Sequence, residues 1–162
     1  MDKVQYTNVV EKYANNMYRI ALNYCKNKYD AEDILQNVFL KLFQSEIQFQ
    51  NDEHLKRWLI RVTINASKDL MKSFWKKRTV GIDEAKESYR EQFSDTQKGE
   101  LYEAVMGLTQ KYRMVIHLYY YEDYSVKEIS EILGIKETTV QTQLMRAREK
   151  LKAKLKEVPY EW

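Results

Sequence analysis

The chain has 162 residues, 44% of them hydrophobic, enough for one ordinary domain or two small ones with packed cores. Four Gly and a single Pro, Pro159, point to helices almost throughout, with no sheet of any consequence. The lone Cys25 excludes an internal disulfide, no apolar run reaches membrane-spanning length, and the opening MDKVQYTNVVEKY lacks the apolar core of a signal peptide.

A net charge of +3 conceals an uneven distribution. Between His54 and Arg78 the cations Lys56, Arg57, Arg61, Lys68, Lys72, Lys76 and Lys77 face Asp69 alone. From Thr79 to Glu103 acidic residues dominate, and from Thr138 onward the chain is basic again. Two basic segments separated by an acidic one suggest two nucleic-acid contacts, joined by a linker that avoids the same polyanion.

The first helix is expected from about Gln5 to Asn27, with Val9, Val10, Tyr13, Met17, Ile20, Ala21 and Tyr24 along one side. Cys25 falls on that apolar stripe and reads as a small core residue. Asp30 is placed to cap a second helix, DAEDILQNVFLKLF. Ile34, Leu35, Val38, Phe39, Leu42 and Phe43 give it a wide apolar face, leaving Glu32, Asp33, Gln36, Asn37 and Lys41 outside. The loop QSEIQFQND carries Phe49, which either docks on its own domain or helps to form a pocket for a nucleotide.

A third helix is expected from about Glu53 to Lys77, burying Leu55, Leu59, Val62, Ala66 and Leu70. Another side presents Arg57, Arg61, Asn65, Lys68 and Lys72 beside Trp58. Such a surface suits a nucleic-acid single strand, whose phosphates take charge and whose bases take a flat partner, or it is simply solvated. From Thr79 to about Lys98 the composition is polar, acidic and aperiodic, as in a linker, with room for a helical turn around residues 85–93. A second domain begins near Gly99: Leu101, Val105 and Leu108 start a helix, and Thr109 caps the next, whose core is Val115, Ile116, Leu118 and Tyr119.

The stretch SVKEISEILGIKETTVQTQLMRAREKLKAKL then reads as a helix-turn-helix. Ser125 and Glu128 stand at capping-box spacing, and Val126, Ile129, Ile132 and Leu133 form one buried stripe. Gly134 allows the sharp left-handed turn, Ile135 plugs the corner, and Thr138 or Thr139 is placed to cap the longer helix. Val140, Leu144, Ala147 and Leu151 form its buried side. At about 100° per residue the opposite side carries Thr138, Gln141, Thr142, Met145, Arg146 and Glu149. Amides, hydroxyls and a guanidinium on one exposed face match the edges of bases in the major groove, although Arg146 can serve a base or a phosphate. Lys150, Lys152, Lys154 and Lys156 add charge for phosphates.

Taken together these segments resemble the extracytoplasmic-function (ECF) sigma factors, the smallest two-domain type of bacterial sigma subunit. DAEDILQNVFLKLF resembles the family's core-polymerase-binding segment, and WLIRVTINASKDLM its promoter-melting helix. GLTQKYRMVIHLYYYEDYSVKEISEILGIKETTVQTQLMRARE resembles the domain that reads the distal promoter element. The resemblance implies an all-α fold of two small helical domains joined by a linker: residues 1–79 for core binding and the proximal element, 80–98 as linker, and 99–158 for the distal element. The second domain is expected to be a four-helix unit containing the helix-turn-helix.

The resemblance further implies that Asp33, Gln36, Asn37 and Lys41 face the clamp helices of the largest polymerase subunit. By the same route Phe49, Trp58, Asn65 and Asp69 lie near the opened proximal element, with Lys68 and Lys72 on nearby phosphates. Thr138, Gln141, Thr142, Met145 and Arg146 are the distal-element positions. Implied partners are core RNA polymerase, including the flap of its second-largest subunit, promoter DNA and an anti-sigma factor; a cytoplasmic location without membrane insertion is expected. The chain departs from the family pattern at Thr109, where Pro is common, and at Gln141 and Gln143, where many members carry Lys or Arg. Promoter preference therefore does not transfer.

Two other classes compete. A free-standing helix-turn-helix regulator would leave the first eighty or so residues without a task. An enzyme would need more than His54 and His117, and neither a metal-ligand cluster nor a phosphate-cradling glycine loop is evident, so no cofactor and no metal are expected.

Overall fold

The computed structural model describes residues 1–77 and 96–155, which fall into two compact units, one within residues 1–89 and the other within 90–162. As the residue pattern implies, the described residues form helices and no strand. The first unit contains α1 (Lys3–Cys25), α2 (Lys28–Gln44) and α3 (Asp52–Lys77). The second contains α4 (Thr96–Met106), α5 (Gln110–Ile116), α6 (Val126–Leu133) and α7 (Glu137–Lys154). Helix α4 takes in Thr96, Gln97 and Lys98, which composition alone assigns to the linker. The rest of that segment, with its suggested helical turn, lies outside the described residues.

Helix α1 opens on a reciprocal capping box: the Asp2 carboxylate accepts from the Gln5 amide at 2.8 Å, and the Gln5 side chain accepts from the Asp2 amide at 3.0 Å. It closes on Lys26 in a left-handed conformation (φ 58°). The cap of α2 is Asn27, whose side-chain oxygen accepts from the amides of Tyr29 and Asp30 at 2.9 and 3.1 Å. Asp30 is therefore a first-turn residue instead of the cap expected. Its pKa is raised by burial, and further by the neighbouring charge of Asp33.

The three helices pack mutually around Met17, Ile20, Leu22, Val38, Leu59 and Ile60, all fully buried. Each such side chain contributes roughly 1.5–3 kcal/mol. Cys25 is buried, as its stripe position implies. Polar ties also join the helices. The Tyr6 hydroxyl donates to the Phe39 carbonyl at 2.9 Å, and Lys12 pairs with Asp52 at 3.0 Å.

Helix α3 does not bury the stripe that hydropathy selects. Leu55 and Leu59 are inside, but Val62, Ala66 and Leu70 are only half-buried, while Ile60, Thr63, Ile64 and Ser67 complete the core. Two hydroxyls can be inside because the helix satisfies them itself: Thr63 donates to the Leu59 carbonyl at 2.7 Å and Ser67 to the Thr63 carbonyl at 2.8 Å. At about 100° per residue, the buried side is rotated by roughly 70° from the expected one.

In the second unit Leu108, Val115, Leu118, Ile129, Val140, Leu144, Ala147 and Leu151 form the core. Thr109 occupies the cap position of α5 without a side-chain hydrogen bond. Helix α5 then widens into a π-turn, His117–Tyr121. Around it lies a buried polar group that hydropathy passes over. Arg113 donates to the Leu108 carbonyl at 2.8 Å, and His117 Nε2 stands 3.7 Å from a Glu122 carboxylate oxygen. The His117 imidazole stacks on Tyr121 with ring centroids 4.9 Å apart.

Candidate nucleic-acid interface

Helix α6 begins on the capping box read from Ser125 and Glu128: the hydroxyl accepts from the Glu128 amide at 3.1 Å and the carboxylate from the Ser125 amide at 3.0 Å. Gly134 ends the helix with φ 68° and ψ 34°, where a side chain would be disfavoured by its own backbone. Ser130 closes the corner. Its carbonyl accepts from the amides of Gly134 and Ile135 at 2.9 and 3.2 Å, and its hydroxyl donates to the Ile135 carbonyl.

Helix α7 then starts at Glu137, with Lys136 as N-cap and no side-chain cap. Neither Thr138 nor Thr139 is the cap, contrary to expectation; both lie in the first turn. Thr142 instead donates its hydroxyl back to the Thr138 carbonyl at 2.9 Å. That leaves the Thr142 oxygen to accept.

Val140, Leu144, Ala147 and Leu151 are buried with at most 1% exposure, and Thr138, Gln141, Met145, Arg146 and Glu149 are exposed on the other side. Thr142 is on that same side but half-buried. Met145 is 50% exposed, an apolar group held in solvent on a face that is otherwise polar. Arg148 points elsewhere: its Nε donates to the Tyr120 hydroxyl at 2.7 Å, and its guanidinium lies 5.3 Å from the Tyr119 ring centroid. Lys154 also departs from a purely solvent-facing role. Its ammonium occupies the space a Cβ on Gly107 would take, at the end of α4, where a cation is favoured by the helix dipole.

In the first unit Phe49 docks on its own domain, edge-on to His54 and Trp58 with centroids 5.3 and 5.5 Å away. The loop is held by Asn51, which accepts from the His54 amide at 2.8 Å, and by His54 Nδ1, which accepts from the Gln50 amide at 3.1 Å. Phe49 and Trp58 remain half-exposed, and Arg61, Asn65, Lys68, Asp69 and Lys72 are exposed. At about 100° per residue, Trp58 and these five span an arc of only about 100°. The rotated core of α3 lies diametrically opposite that arc.

On α2, Asp33, Gln36, Asn37 and Lys41 are exposed as read. Among them stands Leu40, 51% exposed, which hydropathy did not single out. Phe43, expected in the core, is 68% exposed, with the Tyr6 ring in a T-shaped contact at 5.3 Å between centroids. The core helices are already filled at Phe39 and Leu42, so the wide apolar stripe overflows onto the surface. Its excess width was the available signal.

Comparison with known proteins gives this geometry a context. The sequence family described as "Sigma-70 region 2" matches residues 9–78, and "Sigma-70, region 4" matches residues 98–151. The RNA polymerase sigma factor SigV of Bacillus subtilis is 30% identical over 149 residues, covering 90% of this chain and 88% of the relative. The ECF RNA polymerase sigma factor SigM of the same organism is 31% identical over 150 residues, covering 90% and 91%. The sigma factor RpoE of Bartonella quintana, solved with the anti-sigma factor NepR, shares the fold with a TM-score of 0.75. It is 19% identical, with 96% of this chain and 99% of that one covered.

Fold and matches together define a transcription initiation factor of the sigma-70 type, which is not an enzyme. More narrowly, the chain belongs to the ECF family of RNA polymerase sigma factors and directs RNA polymerase to promoters. The region 2 match gives the first unit a task, so the free-standing regulator is not supported. Among the described residues no helix is long and apolar enough to cross a membrane.

Proposed function

We propose that the chain loads onto core polymerase through α2, opens the proximal element with Phe49, Trp58 and the polar arc of α3, and reads the distal element with α7. In this reading residues 1–79 form the core-binding and melting domain, 80–98 the linker and 99–158 the distal-element domain. Asp33, Gln36, Asn37 and Lys41 face the clamp helices of the largest subunit, and the exposed Leu40 adds apolar area to that contact. Phe49, Trp58, Asn65 and Asp69 meet the opened strand, with Lys68 and Lys72 on its phosphates. Thr138, Gln141, Thr142, Met145 and Arg146 meet the distal duplex. The flap of the second-largest subunit and an anti-sigma factor complete the partners, and the site of action is the cytoplasm.

The observation that carries this reading is the division of α7: a wholly apolar row is buried, and Gln141, Met145 and Arg146 stand free on the reverse side. A glutamine amide can pair with adenine in the major groove, which gives a direct test. Selection over randomised distal elements, with holoenzyme carrying Gln141→Ala, should shift the preferred base at one position by about 1–3 kcal/mol. Lys152→Ala should weaken all elements alike. An unshifted preference for Gln141→Ala overturns the assignment of the reading face.

A further inference from the structure

A groove of about 420 Å³ runs beside α7, on the flank of the face just described. One wall is Lys111 and Tyr112 of α5; the other includes Thr138, Thr142, Arg146 and Lys150 of α7. Among the described residues no acidic one lines it. The Lys150 ammonium lies 5.1 Å from the centre of the Tyr112 ring, so a cation from α7 is steadied by an aromatic from α5. Lys111, Arg146 and Lys150 are exposed, while Tyr112 and Thr142 are half-buried.

We propose that this groove seats a backbone phosphate of the distal-element duplex, with Lys111 and Lys150 as its cationic walls. Three cations and several hydroxyl groups around this depression suit an oxyanion, and they offer little to an apolar or cationic ligand. The groove shares Thr138, Thr142 and Arg146 with the reading face. A duplex whose bases meet Gln141 therefore brings a strand over the groove. Lys111 and Tyr112 carry no signal in the helix-turn-helix pattern, because they belong to the preceding helix and reach the groove only through the packing of α5 on α7.

This inference rests on α7 reading duplex DNA, and its test separates the two. Holoenzyme assembled from the full chain would be titrated with a promoter duplex over a range of salt, using wild type, Lys111→Ala, Lys150→Ala and the charge control Lys3→Ala. Each lost phosphate contact should reduce the slope of log affinity against log salt by about 0.9, and should weaken promoters of every distal sequence by the same factor. Lys3→Ala should leave the slope unchanged.

A slope for Lys111→Ala equal to that of wild type overturns the proposal, even if Gln141→Ala still shifts base preference. A wild-type holoenzyme indifferent to every duplex overturns the parent reading as well. Inorganic phosphate supplies the remaining arm. If it saturates the groove of the free protein, as followed by Tyr112 and Lys111 NMR shifts, while the variants keep the wild-type promoter slope, the ligand is a free anion and the duplex assignment falls.

Discussion

Helices α3 and α7 are both long and basic, yet only one discloses its orientation through hydropathy. On α7 the buried positions are Val140, Leu144, Ala147 and Leu151, so an apolar row marks the inside without ambiguity. On α3 the inside contains Thr63 and Ser67, whose hydroxyls are satisfied within the helix, and a purely apolar stripe misplaces the core. The consequence concerns function more than stability. The side proposed to meet DNA is defined as the side opposite the core, so an error in one rotates the other. Once the hydroxyls are counted as interior, Trp58, Asn65, Lys68 and Lys72 fall on a single arc facing away from the bundle.

The comparison can be broken first at the α7 core. Leu144→Ala should cost about 2–5 kcal/mol, because Leu144 is only 1% exposed and its loss leaves a cavity. Calorimetry of the full chain should show the second unit melting earlier while the first keeps its transition. A joint shift of both transitions would mean that the units are thermodynamically coupled. Next in size is the turn ahead of α7. Gly134→Ala should cost about 1–2 kcal/mol from the left-handed backbone alone, since no atom stands within 4 Å of the added Cβ.

The α3 side of the comparison predicts smaller effects. Thr63→Val keeps the shape and removes only a hydroxyl bonded to its own helix, so denaturant unfolding should change by about 1 kcal/mol or less. A loss as large as that of Leu144→Ala would show that the hydroxyl organises the core instead of being tolerated in it. The smallest effect is at Asp30, and it depends on pH. Burial raises the carboxyl pKa in the folded state, so ionisation works against the fold. That penalty is absent below the ordinary aspartate pKa and grows as pH rises through the folded value. Asp30→Asn should therefore raise the melting temperature at neutral pH, and the gain should vanish in acid.

Much of the second unit was legible because its signals are local: the Ser125–Glu128 box, the left-handed Gly134 and the apolar row of α7 lie within a few residues of what they control. What the sequence does not disclose depends on partners distant in sequence or on competition between near neighbours. Asn27 displaces Asp30 as cap because the chain leaves α1 in a left-handed residue at Lys26, so α2 starts earlier than its acidic turn suggests. Phe43 is left outside because Phe39 and Leu42 already fill the available space. Arg113, His117 and Glu122 are polar and carry no hydropathy signal, yet they are buried together around a π-turn that no periodicity announces. The groove of Lys111, Tyr112 and Lys150 needs α5 packed on α7 before it exists.

The π-turn also bears on how related chains should be aligned. A π-turn holds one residue more than an α-turn does, so His117–Tyr121 amounts to a one-residue insertion absorbed inside a helix. A relative lacking that residue can close the helix into an ordinary α-turn, and a single gap within 117–121 is therefore compatible with the fold. The same gap in α7 is not. Each residue advances the helix by about 100°, so deleting one before Gln141 would swing Val140 outward and carry exposed positions into the core. Indels tolerated at the tyrosine cluster and absent from α7 would be the evolutionary trace of that difference.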